Sequence, residues 1–291
     1  MLNPYITHLL ILICIYSILA VSLNIALGYT GLFNLGHVAF FGIGAYTSAL
    51  IMKAGLPFIL AFVAAGTLSS FFGFLLVYAT KKLKGDYLAL ATLAFTYVTY
   101  SVFVNWKSVT RGPLGIAGIA RPSFLGYTLR SNEAYLVFAA LLTIMCVVIM
   151  WRIVKSPFGK LLEAVRDDEL GLRVLGKNTS MLKYKAMGIS AFFAGLAGSI
   201  FAHYISFIDP ASFMLTELIL ILTILIAGGI ASIHGSIVAS VVIILIPEML
   251  RFLALPASVL GPMRQILYAL ILLAILLYRP RGLFGRVDLH A

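Results

Sequence analysis

Charge is the scarcest thing in this chain. Asp, Glu, Lys and Arg make up 11% of its 291 residues and only 10 residues are acidic, while 62% are hydrophobic. The mean hydropathy is +1.07. No soluble domain of this size can hide that much apolar surface, so the chain reads as an integral membrane protein. Its length suits one membrane domain over residues 1–291, with no room for a separate soluble one. Cysteine is nearly missing. Cys14 and Cys146 both fall in apolar runs, which predicts small buried hydrophobes and no disulfide. Metal-ligand spacing is absent: His8, His37, His203, His234 and His290 are scattered, so no metal or other cofactor is expected. No Gly-x-Ser-x-Gly or comparable nucleophile setting is present, which puts an intramembrane enzyme last among the functional classes. Mid-span ionisable groups are lacking too. Asp209, Glu217 and Glu248 sit near predicted span ends, so no ion-coupling site is evident. A basic leader and a small-residue cleavage site are also missing, and the first apolar run reads as a retained span.

One apparent nucleotide motif fails. Gly171-Leu-Arg-Val-Leu-Gly-Lys177 fits seven positions of the phosphate-binding loop, but the eighth is Asn178 instead of Ser or Thr. The residues ahead of it also read as helix, where that motif needs a strand. Asn178-Thr-Ser180 has the form of a glycosylation sequon, which carries no meaning on a cytoplasmic loop. The net charge of +11 suggests nucleic acid at first sight, but the basic residues lie between spans, so no nucleic-acid partner is expected.

What is present is a series of apolar runs. They cover about 5–27, 38–52, 56–78, 87–104, 134–150, 184–207, 218–230, 237–250 and 266–278, two of them short enough to be re-entrant or broken. The expected fold class is therefore all-α: a polytopic membrane protein of roughly eight to nine transmembrane helices, including short or broken ones. A long wet segment, Asn105–Glu133, holds the turn-rich string Arg111-Gly-Pro-Leu-Gly115.

The one long polar island is Trp151–Lys185. Between Arg152 and Lys185 it carries eight basic and four acidic residues, a net of +4. Each such charge would cost about 2.5–3.5 kcal/mol in hydrocarbon, so the island belongs in water. Ser156-Pro157 is an N-cap followed by proline at the first helical position. Leu161, Ala164 and Val165 then share one helical face. Asp167 or Asp168 suits the cap of a second short helix with apolar positions Leu170, Val174 and Leu175, and Gly176 suits its stop. Such a capped pair fits a contact with another protein as well as it fits a solvated connector.

With Lys81, Lys82, Lys84, the island and Arg279, Arg281 and Arg286 inside, seven of the 21 Lys and Arg remain for the other side. Nine crossings then place the N-terminus outside and the C-terminus in the cytoplasm.

Two glycine-broken stretches echo each other, Gly28–His37 and Ala227–Ser236, each with one histidine. Interrupted segments at corresponding places point to a permeation site in transporters. That makes Tyr29, Thr30, Asn34, His37, Ser232 and His234 candidates to line a path. The alternative for both histidines is a hydrogen bond to nearby backbone. Small residues recur at helical spacing, Ala191, Gly195 and Ser199 beside Ala194, Gly198 and Ala202, and predict close helix packing.

Three stretches together resemble a known family. They are Ser22-Leu-Asn-Ile-Ala-Leu-Gly-Tyr-Thr-Gly-Leu-Phe-Asn-Leu-Gly-His-Val-Ala-Phe-Phe-Gly-Ile-Gly-Ala-Tyr-Thr47, Lys84-Gly-Asp-Tyr-Leu-Ala-Leu-Ala-Thr-Leu93, and Ser156-Pro-Phe-Gly-Lys-Leu-Leu-Glu-Ala-Val-Arg-Asp-Asp-Glu169 continuing to Ala194-Gly-Leu-Ala-Gly198. In order, from about residue 20 to the basic tail, the chain is similar to the permease subunit of the branched-chain amino acid ABC importers. The resemblance implies a multi-pass subunit in a bacterial-type cytoplasmic membrane. Its implied partners are a second related permease, two cytoplasmic ATPase subunits and an extracytoplasmic solute-binding protein. It also implies that residues 152–183 form a coupling-helix loop, with Glu163, Ala164, Arg166, Asp167, Asp168, Gly171 and Gly176 as candidate ATPase-coupling positions. The common Glu-Ala-Ala pattern departs here, where Glu163-Ala164 is followed by Val165. Leu, Ile and Val are the implied solutes. Urea, a short amide or another small solute on the same architecture, and a stand-alone carrier or channel, are the alternatives.

Overall fold

A computed structural model describes residues 3–83, 85–124, 127–129, 131–253, 257–279 and 282–285. Lys84, Arg281, Arg286 and His290, invoked above, lie outside the described residues. Twelve α-helices are seen among the described residues: α1 Pro4–Asn24, α2 His37–Lys53, α3 Phe58–Thr80, α4 Gly85–Asn105, the single turn α5 Lys107–Thr110, α6 Asn132–Lys155, α7 Pro157–Asp167, α8 Glu169–Val174, α9 Thr179–Ile205, α10 Leu215–Gly228, α11 Ile233–Leu245 and α12 Ala257–Tyr278. Each of the nine apolar runs becomes a helix. Among the described residues, eight helical segments are long and apolar enough to cross a bilayer, and α2, at 17 residues, is a shorter ninth. The chain is an all-α, multi-pass membrane protein.

Helix α9 is the axis. Its candidate span is 83% buried, against 28% for those of α4 and α6 and 0% for that of α12. The reason is its stripe of small residues. A Cβ added to Gly44 on α2 would lie 2.2 Å from the carbonyl oxygen of Gly195, and one added to Gly198 would lie 2.1 Å from that of Phe41. Backbones therefore touch where side chains would otherwise hold them apart, and dispersion replaces the hydrophobic driving force that lipid cannot supply. Hydroxyls bridge the same seam. Ser48 bonds Ser199 at 2.7 Å and donates to His203 Nε2 at 2.8 Å, while His203 Nδ1 donates to the Ala120 carbonyl at 2.7 Å.

These contacts order the ends of the helices. The end of α1, the starts of α2, α9 and α11, and the ends of α3, α6 and α10 lie toward the island. Leu283 and Phe284 also return there, donating their N–H groups to the carbonyls of Ala227 and Gly228. The opposite face carries the start of α1 and the wet segment. There β1 (Ile116–Ala117) pairs with β4 (Phe207–Ile208), and β2 (Ser123–Phe124) pairs with β3 (Tyr127–Thr128). The Arg111–Gly115 string is a 3-10 turn over Gly112–Leu114. Asp209 lies just ahead of the span Pro210–Gly228 and Glu248 near the end of the span Ile233–Leu250, paired with Arg264, whereas Glu217 lies within its span and accepts from Tyr16, near the middle of the first span, which corrects the expectation that it sits at a span end.

Candidate functional site at the polar island and the broken spans

The island folds as its caps dictate. Ser156 accepts the Gly159 N–H, Pro157 opens α7, and Asp168 accepts the Gly171 N–H at 2.9 Å to start α8. Gly176, at φ +76°, ends that helix, and Asn178 caps α9 through the Met181 N–H at 3.0 Å. The bend from α6 into α7 needs Gly159, because a Cβ there would stand 2.0 Å from the Val154 carbonyl oxygen.

In α7 the buried side chains are Leu162 and Val165, with Leu161 and Ala164 at the margin. In α8 the expected apolar face points outward: Leu170, Val174 and Leu175 are 65%, 88% and 76% exposed, and Leu172 is the residue packed inside. The cause is an ionic anchor. Glu169 holds Arg173 at 2.6 Å and Lys183, on α9, at 2.7 Å, and takes a hydrogen bond from the Thr179 hydroxyl. That anchor sets the rotation of α8. Partial burial pushes the Glu169 carboxyl upward, but the bonds and charges of Lys183 and Arg173 outweigh it and hold the carboxyl below its ordinary value.

Where α1 ends, a π-helical turn, Ile25–Tyr29, leaves carbonyls without helical partners. Arg166 answers one of them: its Nη1 donates to the Gly28 carbonyl at 2.8 Å, while its Nε is paired with Asp167 at 2.8 Å. A cation at a helix C-terminus is also favoured by the helix dipole. Gly31, at φ +71°, lies against the same arginine. The island is thus bonded directly to the first broken span.

Asn24 joins that span to the second break. Fully buried, it accepts the Ala231 N–H at 2.9 Å and donates to the Ser236 hydroxyl at 2.9 Å and the Ser232 carbonyl at 3.2 Å. Gly28 packs against Asn24 and the Ala231 nitrogen, and Gly228 and Gly235 touch backbone to backbone. Ser232 caps α11 by accepting the Gly235 N–H at 3.2 Å.

Of the six path candidates, Tyr29, Ser232 and His234 line one cleft of about 180 Å³, together with Glu163, Lys160 and Lys155. The other three turn into the protein. Thr30 donates to the Ile25 carbonyl at 2.8 Å, Asn34 accepts the Gly36 N–H at 3.0 Å, and His37 Nε2 lies 3.1 Å from the Ser22 hydroxyl with no exposure at all. Of the loop candidates, Arg166 reaches the broken span, Glu163 faces the cleft, and Asp168 and Gly171 form the α8 cap. Gly171–Lys177 follows a helix and has no strand ahead of it. Asn24 and Glu169 were missed as site residues. Asn24 had a signal, an amide inside an apolar span. Glu169 had none apart from its neighbours' charges.

The chain is thus a polytopic membrane protein, a bundle of apolar spanning helices with one polar helical pair bonded to two interrupted spans. Residues 5–276 match the family model described as "Branched-chain amino acid transport system / permease component", and the chain belongs to that family. It is 35% identical over 262 residues to the high-affinity branched-chain amino acid transport system permease protein LivM of Salmonella typhimurium, covering 81% of this chain and 61% of that relative. The LivM of Escherichia coli is 34% identical over the same shares. The chain thus spans about three-fifths of these relatives' length. The autoinducer 2 import system permease protein LsrC of Salmonella typhi is 27% identical over 224 residues, 74% of this chain and 62% of that relative. In fold, the chain is similar to a chain of the structure "PsaBC from Streptococcus pneumoniae in complex with Fab", with TM-score 0.52, 14% identity, and coverage of 96% of this chain and 93% of that one.

Proposed function

We propose that this chain is the non-enzymatic permease subunit of an ATP-driven importer for leucine, isoleucine and valine. In this reading it sits in a bacterial cytoplasmic membrane and shares the translocation path with a second, related permease. The island and the C-terminal segment face the cytoplasm, an extracytoplasmic binding protein delivers the solute, and two ATPase subunits supply the energy. The observation that carries the reading is the Arg166–Gly28 bond. Through it a displacement of α7 pulls on the π-helical end of α1, and Asn24 passes that pull to the second break. Two packed arrangements of a rigid junction are what ATP-driven closure needs to switch between. The outward Leu170, Val174 and Leu175 on α8 offer an apolar handle of the kind a partner's groove grips.

The test is uptake and ATP hydrolysis by the reconstituted complex. Charge reversal at Glu163 or Arg166, or proline inside Lys160–Val165, is expected to leave ATP hydrolysis running while uptake falls at least about tenfold, with insertion unchanged. Normal transport by these variants would end the coupling role of α7. Relatives named for autoinducer 2 import keep a different small solute open, and competition by leucine, isoleucine and valine against urea and short amides decides it. Solute movement by the purified chain alone would favour a stand-alone carrier.

A further inference from the structure

On the island side of the bundle, between α3, α6 and α9, lies a groove of about 560 Å³ that the proposed transport cycle does not use. It exists because α6 packs along α1 and α3 packs along α9, leaving α6 and α9 splayed apart. Phe74, Ile153, Gly188 and Phe192 line it, with the Phe74 ring packed against Gly188. Phe158, in the first turn of α7, lines it too. Ser70 and Lys185 are its polar members. Lys185 is exposed, and no hydrogen bond or ion pair engages it among the described residues.

The surroundings say what fills such a slot. The outer faces beside it, Phe71 at 60% exposure, Leu75 at 48% and Ile149 at 42%, are apolar surface at spanning depth and meet hydrocarbon. The end of α3 nearby carries Lys81 and Lys82. An apolar slot with an unpaired ammonium at its rim, on the basic side of a membrane protein, is complementary to a lipid with apolar chains and a negative headgroup. A second permease's apolar helix would instead leave that ammonium pressed against hydrocarbon.

We propose that this groove binds an anionic phospholipid, one acyl chain lying between Phe74 and Phe192 and the headgroup phosphate on Lys185. The bound chain rests on Phe158 and so on the helix that carries Arg166, which makes lipid composition a modulator of coupling. That last step rests on the coupling role given to α7 above, whereas the binding itself does not.

The test is native mass spectrometry of the purified transporter complex in detergent, titrated with phosphatidylglycerol or with phosphatidylcholine of the same chains. Wild type is expected to retain phosphatidylglycerol about fivefold more tightly, the equivalent of one lysine near an anionic surface. Lys185→Gln removes the preference and keeps the residual binding. Ser70→Trp fills the slot and loses both lipids; should it fail to fold, Lys185→Gln, a surface change, decides alone. Equal retention of the two lipids by wild type, an unchanged preference in Lys185→Gln, or no retained lipid because the second permease covers the groove would each overturn the proposal. Normal uptake by the α7 proline variants would overturn the coupling reading and leave this binding result standing.

Discussion

The two broken stretches, 28–37 and 227–236, share glycines and one histidine, yet they are built in opposite ways. The first is long and inward. A π turn unwinds α1, Thr92 and Thr96 on α4 hydrogen-bond the backbone of residues 33–35, and His37 closes the stretch in full burial against Ser22. The second is tight and outward. Gly228 and Gly235 touch, Gly229 takes φ +105° and Ala231 φ +58°, and His234 stands exposed in the cleft with Glu163. The difference teaches that a glycine-broken stretch announces a bend and says nothing of which way its polar groups turn. Burial decides that. The start of α2 lies between α1 and α9, while the start of α11 borders the cleft below α7.

The largest break of this comparison is Asn24→Leu, which removes the group the two stretches share. It strips the Ala231 N–H of its partner in an apolar interior, and a loss of about 3–5 kcal/mol is expected in reversible unfolding in mixed micelles. A loss under about 1 kcal/mol would mean that the breaks are independent.

Next come the histidines. His37→Ala should cost about 2–3 kcal/mol, and His234→Ala should stay within about 0.5 kcal/mol while changing uptake. Equal costs would erase the inward–outward distinction. Arg166→Gln, which leaves the Gly28 carbonyl without its charged donor, should cost about 1.5 kcal/mol in the same unfolding measurement and raise hydrogen exchange at residues 28–32.

The smallest effect concerns α8. Because the Glu169 carboxyl is held below its ordinary 4.5, its contribution is fully present above that value and is lost as pH falls through the lowered folded value. Proteolysis of the α8–α9 loop should therefore quicken only in acid, by an amount equivalent to about 0.5–1 kcal/mol. Glu169→Gln should be equally open at neutral and acid pH.

Much of this was legible in the chain of residues. The helix positions followed from the length of apolar runs, the caps at Ser156 and Asp168 from short-range chemistry, and the close packing of α9 from the Ala191–Ala202 small-residue stripe. The outward turn of Leu170, Val174 and Leu175 was not legible, because an ion pair 14 residues away, Glu169 with Lys183, sets the rotation of α8. Asn24 was visible as an odd amide in an apolar span, but its partners lie 207 and 212 residues away.

By itself the sequence determined what this protein is made of: apolar helices of spanning length, one soluble helical pair, and two interrupted spans. Hydrophobic length, charge and capping are local properties, and the solvent reads them residue by residue. Only the tertiary structure decided that the pair is bonded to the interrupted spans, that Asn24 joins one interruption to the other, and that one histidine is sealed while the other faces the cleft. Those outcomes depend on which backbones approach closely enough to share hydrogen bonds, and that is set by packing across the whole bundle.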